Sequence, residues 1–81
     1  MKKYTKMEQG IFNNFVKNGI AGKDWRIKIV DKTKIGHSDH AKVLVDVFKP
    51  RKRKPIFSWE LYINFVREQI NWEKSIYYGN P

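Results

Sequence analysis

The segment with the most distinctive chemistry is the run 49–55, which reads Lys-Pro-Arg-Lys-Arg-Lys-Pro. Five of its seven residues are cationic and two are prolines. A central strand is excluded there, because proline lacks the backbone donor of a sheet ladder. Like charges this close repel one another, and a polyanion relieves that repulsion with release of counterions. The run therefore predicts a phosphate-binding loop that uses Lys49, Arg51, Lys52, Arg53 and Lys54. The alternative is a solvated loop that serves only solubility.

Candidates for catalysis are few. The chain has no cysteine, and it contains neither a nucleophile motif nor a glycine-rich phosphate loop. Glu60, Glu68 and Glu73 carry the right groups for acid–base work, but pairing with Lys or Arg on a helix surface is their commoner role. The segment 37–40, His-Ser-Asp-His, has two imidazoles, whereas a metal needs three or four ligands. We expect turn chemistry there, and no enzyme, catalytic residue, metal site or cofactor.

The charge balance indicates which partners to expect. Lys and Arg number 17 and Asp and Glu number 8, which gives a net charge of +9 and favours nucleic acid, an anionic membrane or an acidic protein. The 81 residues suit one domain, 1–81, with short flexible ends at 1–4 and 79–81. No apolar run approaches the ~20 residues that span a membrane, and no apolar segment follows the basic start. A cytoplasmic protein that does not bind membranes is therefore expected, and the lack of cysteine fits a reducing compartment.

Three elements are predicted before the basic run. Thr5 and Glu8 match a capping box, and apolar residues at helical spacing behind them predict a helix over 6–18. Alternating apolar residues predict strands over 25–31 and 41–48, joined by a long hairpin loop. The outward face of these strands would carry Arg26, Lys28, Lys42, Leu44 and Phe48.

That outward face is the second candidate site. Cations beside an exposed ring are typical of nucleic-acid surfaces, where phosphates meet the cations and a base stacks on the ring. Arg26, Lys28 and Lys42 are therefore predicted to extend the basic patch, with Phe48 as the stacking ring. The alternative is that Leu44 and Phe48 are buried by a further strand or by a dimer partner.

A second helix is predicted to follow Ser58, a good N-cap that is preceded by Phe57 and followed by Glu60 in the first turn. Its apolar residues form two adjacent stripes that together span roughly 200° of the helix surface. A small sheet covers less than that, so part of the arc is expected to meet something else. The predicted partner or dimer face consists of Leu61, Phe65, Trp72 and Ile76. The alternative is a monomer in which the first helix and the C-terminal tail cover this stripe.

The expected fold is α+β, with the order α-β-β-(β)-α and two helices on one face of a two- or three-stranded antiparallel sheet. A short third strand through Ile56 and Phe57 is favoured because two strands alone are marginal. This order, the length and the charge resemble the double-stranded-RNA-binding domain, and the stretch 36–47 is similar to that family's loop and second strand. That family opens its last helix with Lys-Lys-x-Ala-Lys, whereas the corresponding cations lie here at 51–54. The resemblance is topological, and fold analogy does not establish function.

Two functions follow as hypotheses. The first is a small nucleic-acid-binding protein of low sequence specificity, in which the cationic loop and the basic sheet face bind phosphates, since nothing resembles a major-groove recognition helix. The second is a small inhibitor or adaptor, of the kind encoded by phages and mobile elements, that binds an acidic or nucleic-acid-binding protein. The basic run favours the first, and the wide apolar arc of the predicted second helix favours the second.

Overall fold

The computed structural model describes residues 4–36 and 39–79. The first element is helix α1 (Lys6–Lys17), which confirms the helix expected from the capping box. The Glu8 amide donates to Thr5 Oγ1 at 3.2 Å, and the Thr5 amide donates to Glu8 Oε1 at 2.8 Å. The helix ends where Gly19 takes a positive φ of 73°, a left-handed conformation that favours glycine.

Four strands follow, each antiparallel to the next, in the sheet order β1-β2-β3-β4. They are β1 (Arg26–Lys34), β2 (His40–Phe48), β3 (Phe57–Asn64) and β4 (Gln69–Gly79). Strands β1 and β2 lie where the alternating pattern predicts them. The short third strand expected through Ile56 and Phe57 is instead an eight-residue inner strand, β3, and the sheet has a fourth strand, β4, that was not predicted. The fold is a mostly-β domain with one short helix on one face of the sheet.

The predicted second helix is wrong, because residues 57–79 form the hairpin β3–β4. Trp59 and Leu61 alternate with Ser58 and Glu60 at the period of two that a strand requires, and they pair with β2 residues of the core. Ser58 does not cap a helix. Its hydroxyl donates to Asp46 Oδ1 across the β2–β3 pair at 2.5 Å. The resemblance to the double-stranded-RNA-binding domain therefore lacks its last helix.

The β3–β4 turn explains why the hairpin is hard to see in the sequence. Asn64 Oδ1 accepts from the amides of Val66 and Arg67 at 3.1 and 2.9 Å, the local bonding by which Asn initiates turns. Glu68 then takes φ 55°, which is uncommon for a residue other than glycine. Because no glycine or proline lies between the strands, apolar residues continue through the turn at a spacing that also fits a helix.

The core lies between α1 and the sheet face that it covers. Phe15 on the helix is fully buried, and it packs against residues of β1, β2 and β3. The core is made of Ile11, Phe15, Ala21, Ile27, Ala41, Val43, Val45, Val47, Leu61 and Ile63. The opposite face, here called the open face, carries the alternate residues and no second layer among the described elements. No helix in the described part of the chain is long and apolar enough to cross a membrane.

Substitutions at Leu61 and Val66 distinguish the hairpin from the predicted helix, because the helix would place both side chains on its apolar stripes. Leu61 is fully buried in β3, whereas Val66 in the turn is 62% exposed. We expect Leu61→Ala to lower the free energy of unfolding by about 2–5 kcal/mol and Val66→Ala to change it by less than about 0.5 kcal/mol. Chemical denaturation of both variants measures this difference, and a comparable loss at Val66 would contradict the hairpin.

Candidate functional site

The cationic run is the hairpin loop between β2 and β3. The Lys52 amide donates to the Lys49 carbonyl at 3.2 Å, and the Ile56 amide donates to the Val47 carbonyl at 2.9 Å. Within this turn Pro50 precedes Arg51, which has φ 63°. This is the pattern of a type II turn, in which glycine or asparagine normally occupies the third position. An arginine there costs stability that glycine would not.

Arg26 of β1 holds the base of the loop in place. Its guanidinium donates to the carbonyls of Lys49, at 3.3 Å, and Lys52, at 2.5 Å. Its Cζ also lies 4.8 Å from the centre of the Phe48 ring, within the range of a cation–π contact. Arg26 was predicted to grip phosphate, and its donors are partly used within the loop. It is therefore first a positioning residue for the cations around it.

The four cations 51–54 are exposed. In the part of the chain that the structure describes, the ion pairs join Lys6 to Glu68 and Lys42 to Glu60, and neither includes the loop. The sequence has no carboxylate between Asp46 and Glu60. The loop charges are therefore not neutralised by these pairs or by acidic neighbours in the chain.

A cleft of about 500 Å³ joins this loop to β1. Arg26, Lys28 and Arg53 line it together with Tyr4, Ile27 and Phe48, so its lining among the described residues includes three cations and no carboxylate. The Tyr4 hydroxyl accepts from the Ile27 amide at 3.0 Å, which leaves its own proton free to donate. Guanidinium, ammonium and phenol donors around one cleft suit the oxygens of a phosphate.

We call this region the basic end of the sheet, and it consists of Tyr4, Arg26, Lys28, Lys49, Arg51, Lys52, Arg53 and Lys54. All but Tyr4 were predicted as binding residues. Tyr4 fell outside the prediction because only the fold brings the residue before the N-cap to the edge of β1. Its ring centre lies 5.7 Å from that of Phe12. The one sequence signal for Tyr4 was its position directly before the capping box.

Two predicted binding residues have other roles. Phe48 is 8% exposed and Arg26 lies over its ring, so it offers little surface for a stacked base. Lys42 lies further along β2, 3.6 Å from Glu60. The register also places Asp31 and Asp46 on the open face, so that face is less basic than the strand pattern suggested.

The predicted partner or dimer residues do not share one surface. Leu61 is buried in the core, and Trp72 packs on Trp59 with ring centres 5.3 Å apart. Phe65 begins the β3–β4 turn, and Ile76 is exposed on the open face opposite Glu60. A homodimer stays a prediction, but the single stripe inferred for it depended on the second helix.

The segment 37–40 is described in part, since His37 and Ser38 lie outside the described residues. The Asp39 carbonyl accepts from the Phe65 amide at 2.9 Å, and the His40 carbonyl accepts from the Ile35 amide at 3.0 Å. The first bond ties the β1–β2 connection to the β3–β4 turn, and the second closes the β1–β2 connection itself. Among described residues, no group of three or more His, Cys, Asp or Glu side chains is placed to hold a metal.

Comparison with known proteins adds no relative. No protein-family model, no curated protein and no solved structure gives a significant match to the chain.

The strained position of Arg51 gives a test of the loop geometry. We expect Arg51→Gly to raise the free energy of unfolding by about 0.5–1 kcal/mol, because relief of the left-handed conformation exceeds the added chain entropy of glycine. Arg53→Gly is the matched control. It removes the same charge from a residue without positive φ, and it should lower stability by up to about 1 kcal/mol. Thermal and chemical denaturation compare the two, and equal effects would contradict this turn.

Proposed function

We propose that the protein binds nucleic acid through phosphate contacts at the basic end of the sheet. The observation that carries this proposal is the cleft in which Arg26 and Lys28 of β1 lie beside Arg53 of the loop. Residues distant in the sequence supply cations to one concave site, and none of the described residues that line it is a carboxylate. A loop that served solubility alone would not require this convergence.

The balance of charge supports a polyanion over a single anion. Arg51, Lys52 and Lys54 are exposed on the loop beyond the cleft, so several phosphates have a cation within reach. Phosphate contacts of this kind provide affinity with little sequence information. Low sequence specificity is therefore part of the proposal, and so is the absence of a chemical reaction.

A protein partner with an acidic surface would use the same cations. The apolar arc that favoured an inhibitor or adaptor was a property of the predicted second helix, and the corresponding residues now divide between the core, the turn and the open face. No single surface in the described chain therefore favours that alternative. The cationic loop is its remaining support, and a binding assay can show whether that loop binds nucleic acid or an acidic protein.

The test replaces Arg51, Lys52, Arg53 and Lys54 together by serine. The matched control replaces by serine four exposed cations away from the basic end, which are Lys32, Lys34, Arg67 and Lys74. It lowers the net charge by the same amount. We expect the loop variant to lose at least about tenfold in affinity for a short oligonucleotide at low salt, whereas the control loses much less. Fluorescence anisotropy measures both, with circular dichroism as the check on folding.

Salt dependence provides the second readout. If the parent protein neutralises four or five phosphates, the logarithm of its affinity falls with the logarithm of salt concentration at a slope of about −3 to −4. The slope should flatten in the loop variant and persist in the control. Equal losses in the two variants would show that net charge alone is responsible. Failure of the parent protein to bind any nucleic acid at low salt would overturn the proposal.

A further inference from the structure

A row of aromatic side chains lies at the basic end, on the sheet face that α1 partly covers. The ring centres of Trp25 and Phe57 are 6.4 Å apart, and those of Phe57 and Tyr77 are 5.6 Å apart. We call Trp25, Phe57 and Tyr77 the ring row. It crosses from the residue before β1, over the start of β3, to the end of β4.

The ring row is the outer end of a longer series that leads into the core. Tyr77 packs against Trp59, Trp59 against Trp72, and Trp72 against Phe15 of α1, with ring centres 5.2, 5.3 and 6.0 Å apart. Phe15 is fully buried, whereas Tyr77 is 54% exposed. The helix therefore covers the inner end of the series and leaves the outer end open to solvent.

The cationic loop lies directly beside the ring row. Lys49 Nζ is 5.7 Å from the centre of the Trp25 ring, and Lys49 also begins the turn that presents Arg51 and Lys52. Gly22 makes room for this indole, since a Cβ there would lie 2.8 Å from Trp25 Nε1. The fold thus places the ring row, in which Tyr77 is exposed, at the same end of the sheet as the exposed cations of the loop, whereas the strand pattern predicted Phe48 as the stacking ring.

We propose that the basic end binds single-stranded nucleic acid, with a base stacked on Tyr77 and the adjoining phosphates at the loop cations. This inference rests on the proposed function and specifies its substrate. Cations that track the backbone beside rings that stack on bases are the common physical basis of single-strand binding. In a duplex the base faces are already stacked on one another, so the ring row gains nothing from them and the cations alone contribute.

Tyr77 and Tyr78 form a matched pair for the test. They are adjacent on β4, they are 54% and 45% exposed, and they project to opposite faces because side chains alternate along a strand. Tyr77 lies in the ring row, whereas Tyr78 is on the open face with its hydroxyl 3.3 Å from Glu60 Oε2. Each is changed to leucine, and Tyr77→Phe preserves the ring as a conservative control.

The probes are oligothymidylate, oligouridylate and a DNA duplex of equal length, at one salt concentration. We expect Tyr77→Leu to weaken single-strand binding by about 5- to 150-fold, the loss of one stacked base, and to change duplex binding by less than about twofold. Tyr77→Phe and Tyr78→Leu should retain parent affinity for the single strands. Circular dichroism and the denaturation midpoint establish that each variant is folded. Quenching of the parent protein's tryptophan fluorescence that is stronger with the single strands than with the duplex would add support.

The outcomes separate this inference from the proposed function. Loss of both single-strand and duplex binding in the serine variant of the loop, with no effect of Tyr77→Leu, would keep the basic end as the site and overturn base stacking. Equal losses on the single strands from Tyr77→Leu and Tyr78→Leu would also overturn it. Parent binding to duplex alone would overturn the single-strand substrate, and binding to none of the probes would overturn both proposals.

Discussion

One short helix must cover one face of a four-stranded sheet, and most features of the molecule follow from that mismatch. The 12 residues of α1 extend about 18 Å, whereas the 11 residues of β4 extend about 36 Å. The helix therefore buries the middle of the sheet, where Val43, Val45 and Leu61 are inaccessible. Towards the basic end, aromatic side chains cover the sheet by packing on one another, and the outermost of them remain half exposed.

The same end of the sheet collects positive charge. Five cations in a seven-residue loop oppose folding by mutual repulsion, and Arg26 fixes the backbone of that loop at its base. Its two bonds to loop carbonyls use one cation to hold the others outward, and the left-handed Arg51 adds strain of the kind often found at functional sites. Rings that the helix leaves exposed and the loop that Arg26 fixes thus lie at the same end of the sheet, which is the physical basis of the proposed single-strand binding surface.

The sequence predicts features whose causes are local. The capping box at Thr5 and Glu8 and the alternation in β1 and β2 involve neighbouring residues, and both predictions are confirmed. The prediction of a second helix over residues 57–79 is wrong because the spacing of apolar residues there fits both a strand and a helix. The turn uses Asn64 and a left-handed Glu68 in place of glycine, and four residues of β4 bulge opposite Leu61, which breaks the period of two. The cationic loop is evident from composition, whereas the clamp by Arg26 and the position of Tyr77 depend on strand pairing, which is not local.

Mapping of the contact surface by NMR tests the central claim most directly. A short oligothymidylate is titrated into isotope-labelled protein, and the backbone amide and indole signals are followed. We predict the largest shifts at the amides of Lys49, of 51–54 and of Tyr77 and at the indole of Trp25, with small shifts at the β3–β4 turn 65–68. Shifts centred on that turn or on the open face around Tyr62, or a uniform weak response that follows net charge, would contradict it.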